Sequence, residues 1–158
     1  MRNSRGRRLF VPECVRLYSP VKMPLLERQA QLERLHGLLA GAVSGRGRVV
    51  ALIGEAGVGK TALAQAFAES VGDGARLLWG ACEDLSIPDP LGPLHDLARA
   101  ARWDLPQALS RHRHRLPLFS EALGVFDDAG AASLLVIEDL HWADDATLDF
   151  VRFLGRRI

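Results

Sequence analysis

Eight consecutive residues carry the sharpest chemistry in the chain: Gly54-Glu55-Ala56-Gly57-Val58-Gly59-Lys60-Thr61. Their order fits the pattern G-x-x-x-x-G-K-[ST] at every position. Three glycines within six residues let the backbone turn tightly and aim successive N–H groups inward, making a concave site for an anion. A helix that starts at the lysine adds its positive N-terminal dipole at the same point. In that frame Lys60 reaches the β- and γ-phosphates of a nucleotide, and the Thr61 hydroxyl ligates Mg²⁺. The competing reading, a chance glycine-rich turn, fails where a strand precedes the loop and a helix follows.

A second group of residues has chemistry that fits the first. Leu134-Leu135-Val136-Ile137 is the strongest strand signal in the chain, and it ends in Glu138-Asp139. Ligands of open α/β sheets bind outside the carboxyl ends of the strands, so acids delivered there face the opening of a phosphate loop. Mg²⁺ keeps several waters and takes one or two carboxylates beside phosphate oxygens. One acid can therefore hold the ion, directly or through water, while the other orients and polarises an attacking water. Alone, the pair reads equally well as an acidic turn after a core strand.

The elements that must position these residues follow from apolar periodicity. Leu25, Leu26, Leu32, Leu35, Leu38, Leu39 and Val43 recur at steps that give an amphipathic helix, stopped by Ser44-Gly45-Arg46-Gly47. Arg48–Ile53 is a short apolar run with β-branched residues, the pattern of a strand buried on both faces of a parallel sheet, and it leads directly into Gly54. Lys60–Val71 places Leu63, Phe67 and Val71 on one side of a helix that Gly72-Asp73-Gly74 closes, and Ala75–Cys82 reads as a second strand. Strand, loop, helix and strand in that order imply a right-handed βαβ unit.

The prolines at 88, 90 and 93 exclude a continuous helix or central strand over 83–93. Helices are expected over Leu94–Ala101, from Pro106, and over Leu118–Phe126, with Trp103 and Leu105 packing. In the basic cluster Arg111–Arg115, His112 and His114 stand at i, i+2 and would point apart on a helix, so a solvated face is expected there rather than a metal site. Asp144-Asp145 caps a last helix with Leu148, Val151 and Leu154 on one face. Trp142 is expected to pack.

Composition bounds what the chain can be. At 158 residues it suits one domain, which would bury roughly 70% of its unfolded surface. A net charge of +1 gives no electrostatic case for nucleic acid or membrane as the main partner. No apolar run approaches the ~18 residues of a membrane span. Cys14 and Cys82 lie far apart and form no ligand spacing, so reduced thiols and a cytoplasmic setting are expected. Residues 1–22 hold Arg2, Arg5, Arg7, Arg8, Arg16 and Lys22 against one acid, Glu13. They read as a disordered basic extension, or as sequence upstream of a natural start at Met23. A basic arm that touches nucleic acid or anionic lipid is the alternative.

Gly54–Thr61 together with Val136-Ile137-Glu138-Asp139-Leu140-His141-Trp142-Ala143-Asp144 resembles the AAA-like ATPase domain of the STAND-type ATPases. These stand at the N-terminus of many large LuxR-type transcriptional regulators. Leu78-Trp79-Gly80-Ala81-Cys82 and Pro90-Leu91-Gly92-Pro93-Leu94 are similar to the same family, as is the entry helix around Leu25–Leu35. That helix has Leu26-Glu27-Arg28 where the family usually has Gly-Arg-Glu.

The resemblance covers about residues 23–158 and implies an α/β fold, the three-layer P-loop NTPase sandwich around a parallel sheet. It also implies that the sheet is incomplete at the C-terminus, because a sensor strand normally follows the last helix and lies between the phosphate-loop strand and the strand that ends in Glu138-Asp139. The implied ligands are ATP and Mg²⁺; without an N-K-x-D motif, GTP is disfavoured. By position, Gly54, Glu55, Ala56, Gly57, Val58, Gly59, Lys60 and Thr61 hold the nucleotide, Thr61 and Glu138 the metal, and Asp139 with Lys60 serves catalysis. Many P-loop ATPases have Asp before Glu at the acid pair, the reverse of the order here.

The implied function is an ATP-binding module of a signalling or transcriptional regulator, with hydrolysis weak or absent and with protein partners or further domains in a longer parent. DNA would be contacted through such a further domain. The alternatives are a truncated, non-catalytic reading frame and a DNA-binding regulator acting through its basic arm.

Overall fold

The computed structural model describes residues 13–16, 28–85, 90–127 and 132–158. The rest of the basic extension and the first turn expected for the entry helix, Leu25–Glu27, lie outside the described residues. In chain order the elements are β1 (Glu13–Arg16), α1 (Gln29–Val43), β2 (Val50–Ile53), α2 (Lys60–Val71), β3 (Arg76–Ala81), α3 (Gly92–Ala101), α4 (Leu105–Arg111), α5 (Arg115–Asp127), β4 (Ser133–Glu138) and α6 (Asp145–Gly155). Short 3₁₀ turns at Gly72–Gly74 and Leu140–Trp142 follow α2 and β4.

Among the described residues every strand pairing is parallel. β1 lies beside β2 with Glu13 opposite Val50 and Arg16 opposite Ile53. β3 lies beside β4 with Arg76 opposite Ser133 and Ala81 opposite Glu138. The strands that α2 connects, β2 and β3, therefore belong to different pairs, and β2 and β4 are not hydrogen-bonded to each other. β1 sits within the segment that reads from sequence as a disordered extension; at these four residues the chain instead adds a strand to the sheet.

Register decides which side chains share a face. Leu78 stands opposite Leu135, and Gly80 opposite Ile137. That face lies against a core built from α3, α4, α5 and α6, in which Phe119, Phe126 and Phe150 are fully buried. Their rings meet at 5.2 Å (Phe119–Phe150) and 6.4 Å (Phe126–Phe150) between centroids. Leu134 points the other way and packs with Leu35, Leu63, Phe67, Val50 and Leu52 beneath α1 and α2. Helices cover the strands from both sides, as parallel strands require.

Several faces differ from the sequence reading. α6 buries Ala146, Thr147, Phe150, Phe153 and Leu154, so of the expected stripe Leu154 is buried while Leu148 and Val151 are only partly covered. Both stripes have helical spacing, and the one with two phenylalanines removes more apolar area from water. α1 fully buries only Leu35 along its length, with Leu32 and Leu39 partly buried against the same small core, and Val43 is 63% exposed. β2 is not buried on both faces: Val50 and Leu52 meet the small core, while Ile53 is 43% exposed.

One close approach fixes α3 on the sheet. A Cβ built on Gly80 would stand 2.6 Å from the Pro93 carbonyl oxygen, inside any real contact distance. Gly80→Ala is therefore expected to lower stability by about 1–3 kcal/mol through overpacking. In urea titration its midpoint should fall while the slope stays that of the parent.

Candidate phosphate-binding site

β2 ends at Ile53 and α2 begins at Lys60, so Gly54–Gly59 form the loop between strand and helix that the motif requires. Gly57 and Gly59 have φ of 75° and 86°, the left-handed region that glycine enters without a Cβ penalty. The Val58 N–H donates back to Glu55 O at 3.3 Å, which closes the turn. Lys60 Nζ donates to Gly54 O and Glu55 O, each at 3.0 Å, and so draws the ammonium across the start of the loop. No side chain caps α2 at Gly59. The first-turn N–H groups of that helix are thus left for a ligand, and the helix dipole selects an anion. Thr61 is exposed on the same turn.

A residue with no role assigned from sequence lies against this loop. Arg28, immediately before α1, is only 7% exposed. Its guanidinium donates through Nη1 to Gly59 O and through Nη2 to Val58 O. A Cβ on Gly59 would come within 2.8 Å of both guanidinium nitrogens. Gly59 is thus demanded twice, by its φ and by the arginine.

The two acids stand where β4 delivers them. Glu138 is the last residue of the strand, and its Oε2 accepts a 3.0 Å hydrogen bond from Trp79 Nε1. Trp79 pairs with Val136, so it sits diagonal to Glu138 on one face of the β3–β4 pair, within reach of a long side chain. Asp139 follows in the left-handed region, φ 53°, with its side chain more than half exposed and its carboxylate 3.9 Å from His141 Nδ1. Aspartate is among the few residues that enter this region readily. The eight loop residues are thus brought together as one structure. Among the described residues, neither acid is hydrogen-bonded to the loop, and the link between them runs through α2, whose Leu63 and Phe67 share a core with Leu134.

A sequence profile of the AAA ATPase domain matches residues 24–158. The chain belongs to the AAA ATPase domain family. Comparison with curated proteins and with solved structures produced no match. The chain is accordingly an ATP-binding P-loop NTPase module, in a family whose nucleotide binding is generally Mg²⁺-dependent. Among the described residues no helix is long and apolar enough to cross a membrane.

Other parts of this AAA ATPase domain hold the site in place. Asp144 is the N-cap of α6, where it accepts from Ala146 N, Thr147 N and the Thr147 hydroxyl, and it also accepts from Leu91 N at 3.1 Å. Leu91 is buried in the left-handed conformation that starts α3. One carboxylate therefore ties the start of α3 to the start of α6, a physical role for the last residue of the Leu-His-Trp-Ala-Asp run. Burial works to raise its pKa, and the hydrogen bonds from Thr147, Leu91 and Ala146 outweigh burial and lower it.

Trp142, expected to pack, is 43% exposed and rests on His141 at 4.9 Å between ring centroids. The 3₁₀ turn carries it outward to the rim of a cleft shared with Cys82, Pro93, His95 and Asp144. Cys82 is a buried free thiol, pushed upward in pKa by burial and then by the charges of Asp144 and Asp139, which keeps it protonated and unreactive. The basic cluster after α4 is not simply solvated. His112 Nε2 lies 2.6 Å from Glu121 Oε2, and Arg111 donates to Glu121 Oε1 at 2.7 Å. Trp103 Nε1 donates to the same oxygen at 3.0 Å, so Glu121 fastens α4 and the preceding turn to α5. The hydrogen bond from His112, then that from Trp103, holds the Glu121 carboxyl below its usual range.

Asp144→Ala is expected to cost about 1–2 kcal/mol, the typical loss of a helix cap. Because the folded-state pKa of Asp144 is lowered from 3.8, its contribution is complete above that value and is lost as pH falls through the depressed pKa. Urea titrations across the acid range should therefore show a shallower pH dependence for Asp144→Asn than for the parent.

Proposed function

We propose that the protein is the nucleotide-responsive module of a STAND-type signalling or transcriptional regulator, related to the large LuxR-type proteins. In this reading it binds Mg²⁺-ATP at Gly54–Thr61 in the cytoplasm and hydrolyses it slowly or not at all. The observation that carries the reading is the loop itself: left-handed glycines, a lysine drawn across its start, and an uncapped helix N-terminus at one point. Nucleotide state would then bias how the module meets further domains or protein partners, as in other nucleotide switches.

The residues have distinct parts in this proposal. The N–H groups of Gly57, Gly59, Lys60 and Thr61 would donate to phosphate oxygens. Lys60 leaves the carbonyls of Gly54 and Glu55 far enough to reach the β- and γ-phosphates. Thr61 and Glu138 offer hard oxygen donors of the kind Mg²⁺ prefers, and Trp79 orients Glu138 through Oε2 while Oε1 stays available. When bound, Mg²⁺ would neutralise charge on the β- and γ-phosphate oxygens. Asp139 would orient a water, with His141 beside its carboxylate.

Mg²⁺-ATP should raise the thermal midpoint in a concentration-dependent manner, as any ligand that binds only the folded state does. Lys60→Ala should abolish that rise, whereas Asp139→Asn should keep the rise and remove any phosphate release. Thermal shift and phosphate assays on the three proteins check this, and a full ATP response in Lys60→Ala would sink the proposal.

A further inference from the structure

We infer that Arg28 is a positioning residue for the phosphate loop, one that sets the loop's N–H groups for their ligand without touching the nucleotide. This rests on the ATP-binding reading of Gly54–Thr61. The peptide unit is planar and trans, so its C=O and N–H point in opposite directions. The Val58 carbonyl shares a unit with the N–H of Gly59, and the Gly59 carbonyl shares one with the N–H of Lys60. Arg28 holds both carbonyls. It thereby turns both N–H groups away from itself, toward the side on which an anion would sit.

The loop needs such a clamp because its own sequence does not supply one. Gly59 at φ 86° has little local preference, and a glycine peptide can rotate at small cost. The guanidinium also polarises the two units it holds. A hydrogen bond to a cation is roughly twice as strong as a neutral one, and polarisation passes along the peptide to its N–H. Burial keeps water from screening this effect.

Two adjacent carbonyls suit the planar fork of arginine better than the point charge of lysine. The clamp also has a counterpart. Lys60 holds the carbonyls of Gly54 and Glu55 at the loop's start, and Arg28 holds those of Val58 and Gly59 at its end. Because Arg28 is the N-cap residue of α1, any displacement of that helix acts directly on the phosphate loop.

The test is equilibrium binding of Mg²⁺-ATP and of Mg²⁺-tripolyphosphate, which has no base or sugar, to the parent, Arg28→Lys and Arg28→Gln. Folding of each is confirmed by circular dichroism and by a cooperative thermal transition. Arg28→Gln should weaken both ligands by about tenfold or more, and Arg28→Lys by a smaller factor, with the ATP-to-tripolyphosphate ratio unchanged. The amide resonances of Gly59 and Lys60 should lose their ligand-induced shifts in parallel. If Arg28→Gln does not fold, Arg28→Lys decides alone, and the expected result is weaker binding of both ligands. Parent-like affinity in a folded variant overturns the inference, as does a loss confined to ATP, which would mean a contact to the base. A parent that binds neither ligand overturns the ATP-binding reading and this inference with it.

Discussion

A turn of backbone that cannot satisfy its own N–H groups is the constraint on which the rest of this domain depends. The chain from Gly54 to Lys60 passes through two left-handed glycines into an uncapped helix, leaving donors that need an anion. Holding such a loop open requires fixing its carbonyls elsewhere. Two cations do this, Lys60 at the start and Arg28 at the end. Both contacts cross from one element to another, so the loop's shape is a property of β2, α1 and α2 together. The small core of Leu35, Leu63 and Phe67 keeps these three in register.

The acidic half of the site is built on separate support. β3 and β4 pair, Trp79 orients Glu138 across the pair, and Asp144 pins the starts of α3 and α6 just beyond the strand ends. The phenylalanine core beneath makes this half the better packed of the two. Between the halves runs α2, which begins at the phosphate loop and packs on Leu134 of β4.

Much of this was legible in the sequence where the signal is local. Lys60–Val71 is a helix over the span its alanines and apolar spacing indicate, and Asp144 caps the last helix as its position suggests. The loop was readable because its glycines, lysine and threonine are adjacent in the chain. What was not legible depends on register and on long-range partners. The choice between two stripes on α6 turned on where Phe119 and Phe126 would lie. Ile53 at the end of β2 is 43% exposed, which depends on long-range packing that its apolar run does not encode. Trp79 meets Glu138 only because β3 and β4 align as they do, and Arg28 meets Gly59 across thirty-one positions of sequence. Periodicity carries no information about either pairing. Trp142 was misjudged for a related reason: a bulky apolar residue reads as core unless the turn that carries it outward is known.

The most direct test of nucleotide binding at Gly54–Thr61 is residue-resolved amide hydrogen exchange with and without Mg²⁺-ATP. Slowed exchange concentrated at Gly57, Gly59, Lys60 and Thr61 is the expected result, because among the described residues those N–H groups have no hydrogen-bond partner. Saturation with ATP that leaves these four amides exchanging as before, with protection elsewhere, would contradict it.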